Sequence, residues 1–282
     1  MIPPDRPPFG VKEVVEACSD WLEKHDPAKR LHGHLYAIRS LEHTYHMAGQ
    51  RGILLSLLRV ERVIQSDHAD RELFERAYGE AVVGRVAGRR LYEALKALAA
   101  HTRCPLCGIQ AVAQVDHHAP KDKFPFLALT PLNLIAVCGT CNQLKSNTFE
   151  EDATREAVHP YFDKFGNDRW LHAQIDAAAN GVAVYQAIPP ATWPSTKALR
   201  VRRHFDKYNL SLRYKAEASH ALARRKRADT RTFKEAGSAE LRSLLSKEAE
   251  DQAAYDPNCW QAAFLSALAD SNWYLNGGMQ SI

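Results

Sequence analysis

Two cysteine pairs, Cys104-Pro-Leu-Cys107 and Cys138-Gly-Thr-Cys141, set the tightest limits on how this chain can fold. Four thiolates delivered by two turns can surround one ion tetrahedrally, so the spacing predicts a closed structural Zn²⁺ site. A redox role would call for a single CxxC beside a βαβ pattern. A disulfide framework would spread cysteines through a secreted chain, and neither pattern is present. Cys18 and Cys259 stand apart from both pairs and read as small buried residues.

The segment between the pairs has strand character at both ends. Ala111 to Val115 leads into Asp116-His117-His118, and Ala119-Pro120-Lys121-Asp122-Lys123 breaks the pattern. A second apolar run, Leu132 to Val137, enters the second pair, and from Cys141 onward Asn142, Gln143, Leu144 and Lys145 suit a helix. The order is strand, loop, strand, helix.

Val115-Asp116-His117, Asn133 within Pro-Leu-Asn-Leu, and Cys138-Gly-Thr-Cys141-Asn142-Gln-Leu-Lys145 together resemble the ββα-metal core of the HNH endonuclease superfamily in its zinc-stapled form. The last letter of the motif is usually His; here it is Asn142, giving an Asp-His, Asn, Asn variant. The resemblance covers Cys104 to Asn147 and does not reach the flanks. It implies that Asn133 holds the loop and the base in position, and that Lys145 can approach a phosphate.

The residue types also suit the chemistry on their own terms. Phosphodiester hydrolysis needs a base for water, charge neutralisation on the phosphoryl oxygens and help for the leaving alkoxide. An unperturbed imidazole titrates near ~6.5, so His117 suits the base. Asp116 precedes it on an extended strand and points the opposite way, leaving it free to hold a cation, provided the strand end twists both residues toward substrate. With Asn142 it makes an oxygen-only pair that favours Mg²⁺ or Mn²⁺. His118 competes with His117, and His159, in the pentad His159-Pro-Tyr-Phe-Asp163, is a weaker site candidate. Tyr161 and Phe162 of that pentad read as anchors packing back on the core. An HNH core that binds nucleic acid or a protein without cutting is the alternative.

The flanks read as helix. Residues 1 to 10 are too proline-rich for helix and read as an extended arm. Val11 to His25 is amphipathic, with Val14, Val15, Cys18, Trp21 and Leu22 on one face. Leu31 to Ala48, Gly52 to Ile64 and Arg71 to Ala99 continue the helical pattern. His32, His34, His43 and His46 cluster without a carboxylate pattern to complete a metal site, and Arg85, Arg89, Arg90 and Lys96 suit a solvated face or a phosphate contact. Trp170 to Ala179 suggests a short helix and Gly181 to Ile188 a strand. From Lys197 the chain is helical and basic, and Arg202, Arg203, Arg224, Arg225 and Arg227 are candidates for nucleic-acid backbone binding. Leu241 to Trp273 reads as a closing helical pair, and the tail beyond Asn276 as loose.

The 282 residues, 45% of them hydrophobic, can bury one large core or two modest ones, and the formal charge of +4 permits a nucleic-acid partner without demanding one. No apolar run is long enough for a bilayer, and a thiolate zinc site points to the cytoplasm. The expected architecture is mainly α with a small α+β core: a helical region over 1–100, a ββα-metal nuclease core with its four-cysteine zinc site over 101–165, and a basic helical region over 166–282. The expected function is one-metal hydrolysis of DNA, by nicking or by paired cutting in a homodimer. Analogy suggests an effector of an anti-phage system such as the Zorya or Septu type, with other components of that system as partners. A restriction enzyme or a toxin nuclease is the alternative setting.

Overall fold

The computed structural model of the chain describes residues 2–25, 29–63, 68–147 and 158–281. It divides into two compact units, Ile2–Lys164 and Phe165–Ile282.

In the first unit the amphipathic stretch is two short helices, α1 (Val11–Ala17) and α2 (Ser19–His25), which meet at buried Cys18. There follow α3 (Lys29–Gly33), α4 (Leu35–Gln50), α5 (Leu54–Val63) and α6 (His68–Arg76). A π-helical turn over Ala77–Val82 leads to α7 (Val86–Ala97). Ile64, the expected end of the Gly52 helix, lies outside the described residues. The nuclease stretch supplies β1 (Gln114–His117), β2 (Leu134–Val137) and α8 (Gly139–Lys145). β1 and β2 are antiparallel, with Asp116 opposite Ile135 and His117 opposite Leu134.

The sequence suggested separate regions before and after residue 100, but the helices and the nuclease stretch share one unit. A two-stranded sheet cannot cover its own faces or satisfy its own edges. β1 bonds β2 along one edge; at the other, Val115 N–H donates to Tyr92 Oη at 3.0 Å and Tyr78 Oη–H donates to Val115 O at 3.3 Å. Val115, Leu129 and Leu134 join Val14, Trp21, Ile38, Phe74 and Leu95 in one apolar core. Ala119, Phe124 and Leu127, from the loop between the strands, join Tyr45, Leu54 and Leu58 in a second.

In the second unit the expected helix over 170–179 is instead β3 (Leu171–Asp176), paired antiparallel with β4 (Val182–Ala187). The reversal is built locally. Asp176 Oδ1 accepts from Ala178 N and Ala179 N, and Asn180 and Gly181 both have positive φ, which ends any helical path. The hairpin is held by Asn258, whose Oδ1 accepts from Trp170 N and Leu171 N.

After α9 (Ser195–Lys207) comes α10 (Leu210–Tyr255), whose helical path breaks at Gly237, φ 82° and ψ 179°. Arg225 Nη1 lies 3.1 Å from Glu248 Oε2. In a straight helix these residues would stand about 35 Å apart at 1.5 Å per residue. The chain therefore doubles back at Gly237 into two antiparallel arms, 210–236 and 238–255, a turn that needs the left-handed freedom of glycine. α11 (Trp260–Asp270) and α12 (Asn272–Leu275) close the unit. The tail is not loose: a 3₁₀ turn over Gly278–Ser281 buries Met279 completely. Among the described residues no helix is long and apolar enough to cross a membrane.

Candidate active site and zinc centre

The four knuckle cysteines converge. Their sulfurs all lie within 4.8 Å of one another, all four residues are buried, and Cys107 and Cys138 Sγ are 3.9 Å apart. A disulfide needs about 2.05 Å. Tetrahedral zinc with Zn–S near 2.3 Å sets sulfurs about 3.8 Å apart, so the donor set and its spacing fit Zn²⁺.

Local backbone builds each knuckle. Cys104 O accepts from Gly108 N at 2.8 Å, and Gly108, at φ +67°, turns the chain so that Cys107 faces back. Cys138 caps α8, its Sγ accepting from Cys141 N at 3.4 Å. Bonding among the four sulfurs pulls the Cys107 and Cys138 thiols down and pushes those of Cys104 and Cys141 up, as expected of thiols that share protons at one centre; a bound cation would displace those protons.

The second knuckle leads directly into α8, whose last residue reaches β1. Lys145 Nζ lies 3.0 Å from Asp116 Oδ2, with both groups mostly shielded from solvent. Asn142 is one helical turn before Lys145 and shares its face. Lys145 therefore brings the end of α8, with Asn142 one turn back, to the Asp116 carboxylate. One carboxylate and one amide, Asp116 and Asn142 are the residue types that could offer oxygens to a hard divalent cation.

Asn133 is fully buried, and all its amide groups are used. Oδ1 accepts from Ala119 N at 2.7 Å and from Tyr45 Oη at 3.1 Å, while Nδ2 donates to Ala119 O and Leu127 O, both at 3.1 Å. The amide ties the start and the middle of the loop between the strands to its end.

His117 departs from the expected geometry. The strand end does not twist it to the same side as Asp116: Val115 and His117 face the core, and the His117 ring is only 6% exposed, edge-on to Tyr78 at 4.4 Å between centroids. Burial lowers its pKa from 6.5 to about 4; the bond to Ala128 opposes the shift, and Lys145 adds to it. The ring is neutral. Nε2 lies 2.9 Å from Ala128 O, which can only accept, so Nε2 carries the proton and the lone pair sits on Nδ1.

His118 follows the end of β1 in a bend and is half-buried, its N–H bonded to Asn133 O at 2.8 Å. Its ring centroid is 4.1 Å from that of His159. His159 is buried, and its tautomer follows from its partners. Tyr161 N–H donates to Nδ1 at 3.3 Å, so Nε2–H donates to Tyr45 Oη at 3.2 Å, and Tyr45 passes its own proton to Asn133. The pentad is built into the core, with Tyr161 Oη–H donating to Leu134 O at 3.0 Å. Phe162 lies against Gly49, where a Cβ would come within 2.3 Å of the ring.

Tyr45, Tyr78 and Ala128 carried no local signal as partners of the motif. Each meets it only through folding, from 11 to 88 residues away. The histidine cluster does not converge on a metal site. His34 Nε2 is 3.2 Å from Asp70, and His46 stacks on Phe162 and bonds Arg6. Arg89 and Lys96 pair with Glu93 on the surface of α7.

Of the basic candidates in the second unit, Arg202, Arg224 and Arg227 are exposed and Arg203 is half-buried. Arg225 is not available to a ligand. It grips Asp229 through Nε at 2.6 Å and also bonds Glu248, and Asp229 in turn accepts from Tyr274 Oη.

A zinc-knuckled β-hairpin and helix, with an Asp-His pair at the strand end and asparagines on the second strand's approach and on the helix, define a ββα-metal core flanked by helices. The family model for HNH endonuclease matches residues 104–148, so this stretch is an HNH module. Over 285 aligned residues the chain is 24% identical to Protein ea31 of Escherichia phage lambda, covering 94% of this chain and 96% of that protein. No solved structure matches the chain.

Proposed function

We propose that the chain is a metal-dependent endonuclease that hydrolyses DNA phosphodiester bonds at the Asp116 end of β1. The observation that carries this reading is the 3.0 Å ion pair, inside the HNH-matched stretch, between Asp116 and Lys145 of α8, the helix that also carries Asn142. Asp116 and Asn142 would hold one Mg²⁺ or Mn²⁺, which when bound supplies charge neutralisation at the phosphoryl group and at the leaving oxygen.

The remaining work falls to the chain's own side chains. His117, held neutral by burial and anchored through Nε2 on the strand face opposite Asp116, takes a proton from water at Nδ1 once the end of β1 turns the ring toward bound substrate. Asn133 keeps the loop carbonyls that orient His117 in place. Lys145 turns from Asp116 to a phosphate oxygen when substrate is bound. The Lys145–Asp116 ion pair is also what favours the alternative, a non-catalytic zinc module in which the lysine permanently occupies the carboxylate.

The test is conversion of supercoiled plasmid by the zinc-loaded chain with Mg²⁺ or Mn²⁺, and with EDTA. Nicking that needs the divalent ion, and is lost in Asp116→Ala and His117→Ala while zinc content is unchanged, is the expected result. Loss in His118→Ala with retention in His117→Ala would transfer the base to His118. A zinc-loaded wild type that cuts with neither ion would leave the binding module. We also propose an anti-phage effector as the setting, checked by phage plating on cells that express wild type or Asp116→Ala; equal plating would rule it out.

A further inference from the structure

We infer that the outer face of the first α10 arm, the stripe Arg224, Arg227, Arg231 and Lys234, is a docking surface for the phosphate backbone of a nucleic acid.

The hairpin turn at Gly237 sorts the basic residues of this arm into two classes. Tyr214, Ala218, Leu222 and Asp229 are buried, and Arg225 sits with them, neutralised by Asp229 and by Glu248 of the returning arm. At about 100° per residue, Arg224, Arg227, Arg231 and Lys234 occupy an arc of about 80° on the opposite side. All four are exposed. Among the described residues none of them is in an ion pair; Glu235, one turn after Arg231, does not form one.

The stripe runs about 15 Å along the helix, enough for several phosphates of one strand at about 3.4 Å per nucleotide. Its chemistry selects the partner class. Three of the four cations are arginines, whose planar forks suit phosphate oxygens. A protein interface would need an apolar centre, and between Leu212 and Leu244 no large hydrophobic residue of the described chain is exposed. The choice of nucleic acid over another polyanion rests on the nuclease reading of the HNH module.

The test is binding of the full-length, zinc-loaded chain to a fluorescent 30-base-pair duplex, by anisotropy, with no Mg²⁺ or Mn²⁺ added and across a series of salt concentrations. In Arg224→Ala/Arg227→Ala/Arg231→Ala/Lys234→Ala the slope of log affinity against log salt is expected to fall by about 3 to 4, near 0.9 per lost contact. The double variant Arg224→Ala/Arg231→Ala should lose about half of that. Arg242→Ala/Lys247→Ala, which removes the same charge from the returning arm, should leave the slope within one unit of wild type. Equal losses in the two double variants would reduce the effect to net charge and overturn the proposal, as would an unchanged slope in the quadruple variant, the result expected of a surface for an acidic protein. Because cutting plays no part in this assay, plasmid nicking by the same proteins reports separately on the nuclease reading: binding through the stripe without nicking sinks only that reading, and nicking without stripe-dependent binding sinks only this one.

Discussion

Replacing Asn133 tests the wiring of the site more directly than any ligand change. Its amide satisfies three backbone groups in a fully buried place: Ala119 N, Ala119 O and Leu127 O. Asn133→Ala removes all three bonds and leaves these buried groups without their protein partner. At about 1–3 kcal/mol for an orphaned buried group, discounted for carbonyls that keep a second lone pair, the loss is about 3–5 kcal/mol. Asn133→Asp keeps the shape but faces a carboxylate oxygen to two carbonyls, so its folded form prefers the protonated acid. The sign follows. A folded-state pKa raised above the ordinary ~3.9 means that the folded variant binds more protons, so its deficit is full at neutral pH and shrinks as pH falls toward 5. Urea denaturation followed by circular dichroism at pH 7 and pH 5 measures both effects. An Ala variant that loses less than about 1 kcal/mol, or an Asp variant whose deficit grows on acidification, would refute the clamp.

The buried neutral His117 makes stability acid-sensitive. Its folded pKa of about 4, against 6.5 unfolded, lets the unfolded chain bind the extra proton, so stability is lost as pH falls from 6.5 toward 4, by about 3 kcal/mol in all. His117→Gln should flatten the slope of stability against pH by up to one proton in that window, read by urea titration. One zinc per chain is expected by elemental analysis. Its removal by chelation should expose four fast-reacting thiols while buried Cys18, its thiol pushed up to about 12 by desolvation, reacts only on unfolding. Arg225→Ala strands the Asp229 carboxylate in the second unit and should cost about 3–5 kcal/mol, whereas Arg224→Ala should change the melting curve little. Similar thermal shifts in those two variants would contradict the sorting of the α10 arm.

What could be read in the chain before folding was what depends on residue type and short spacing. Two CxxC turns announce a four-thiolate centre because each turn brings its own pair together, and only the meeting of the pairs is left to folding. Strand, loop, strand, helix is legible because apolar runs and a helix start are local. Asn133 stood out by its place in the motif, although its partners did not.

The rest required tertiary contacts. Burial of His117 depends on which face of β1 meets the core. That face is set by Tyr78 and Tyr92, which bond a strand edge from helices more than twenty residues away. The segment 171–176 became a strand because the run after it could pair with it, a choice its own ambiguous period does not make. The basic run from Arg213 to Lys234 looked uniform along the chain. Reversal at Gly237 brought Glu248 to Arg225 and turned Arg224 away, so neighbours in sequence received opposite roles. Sequence determines which groups exist and their short-range geometry; dielectric environment and charge pairing are properties of the packed chain, because they depend on residues that meet only when it folds.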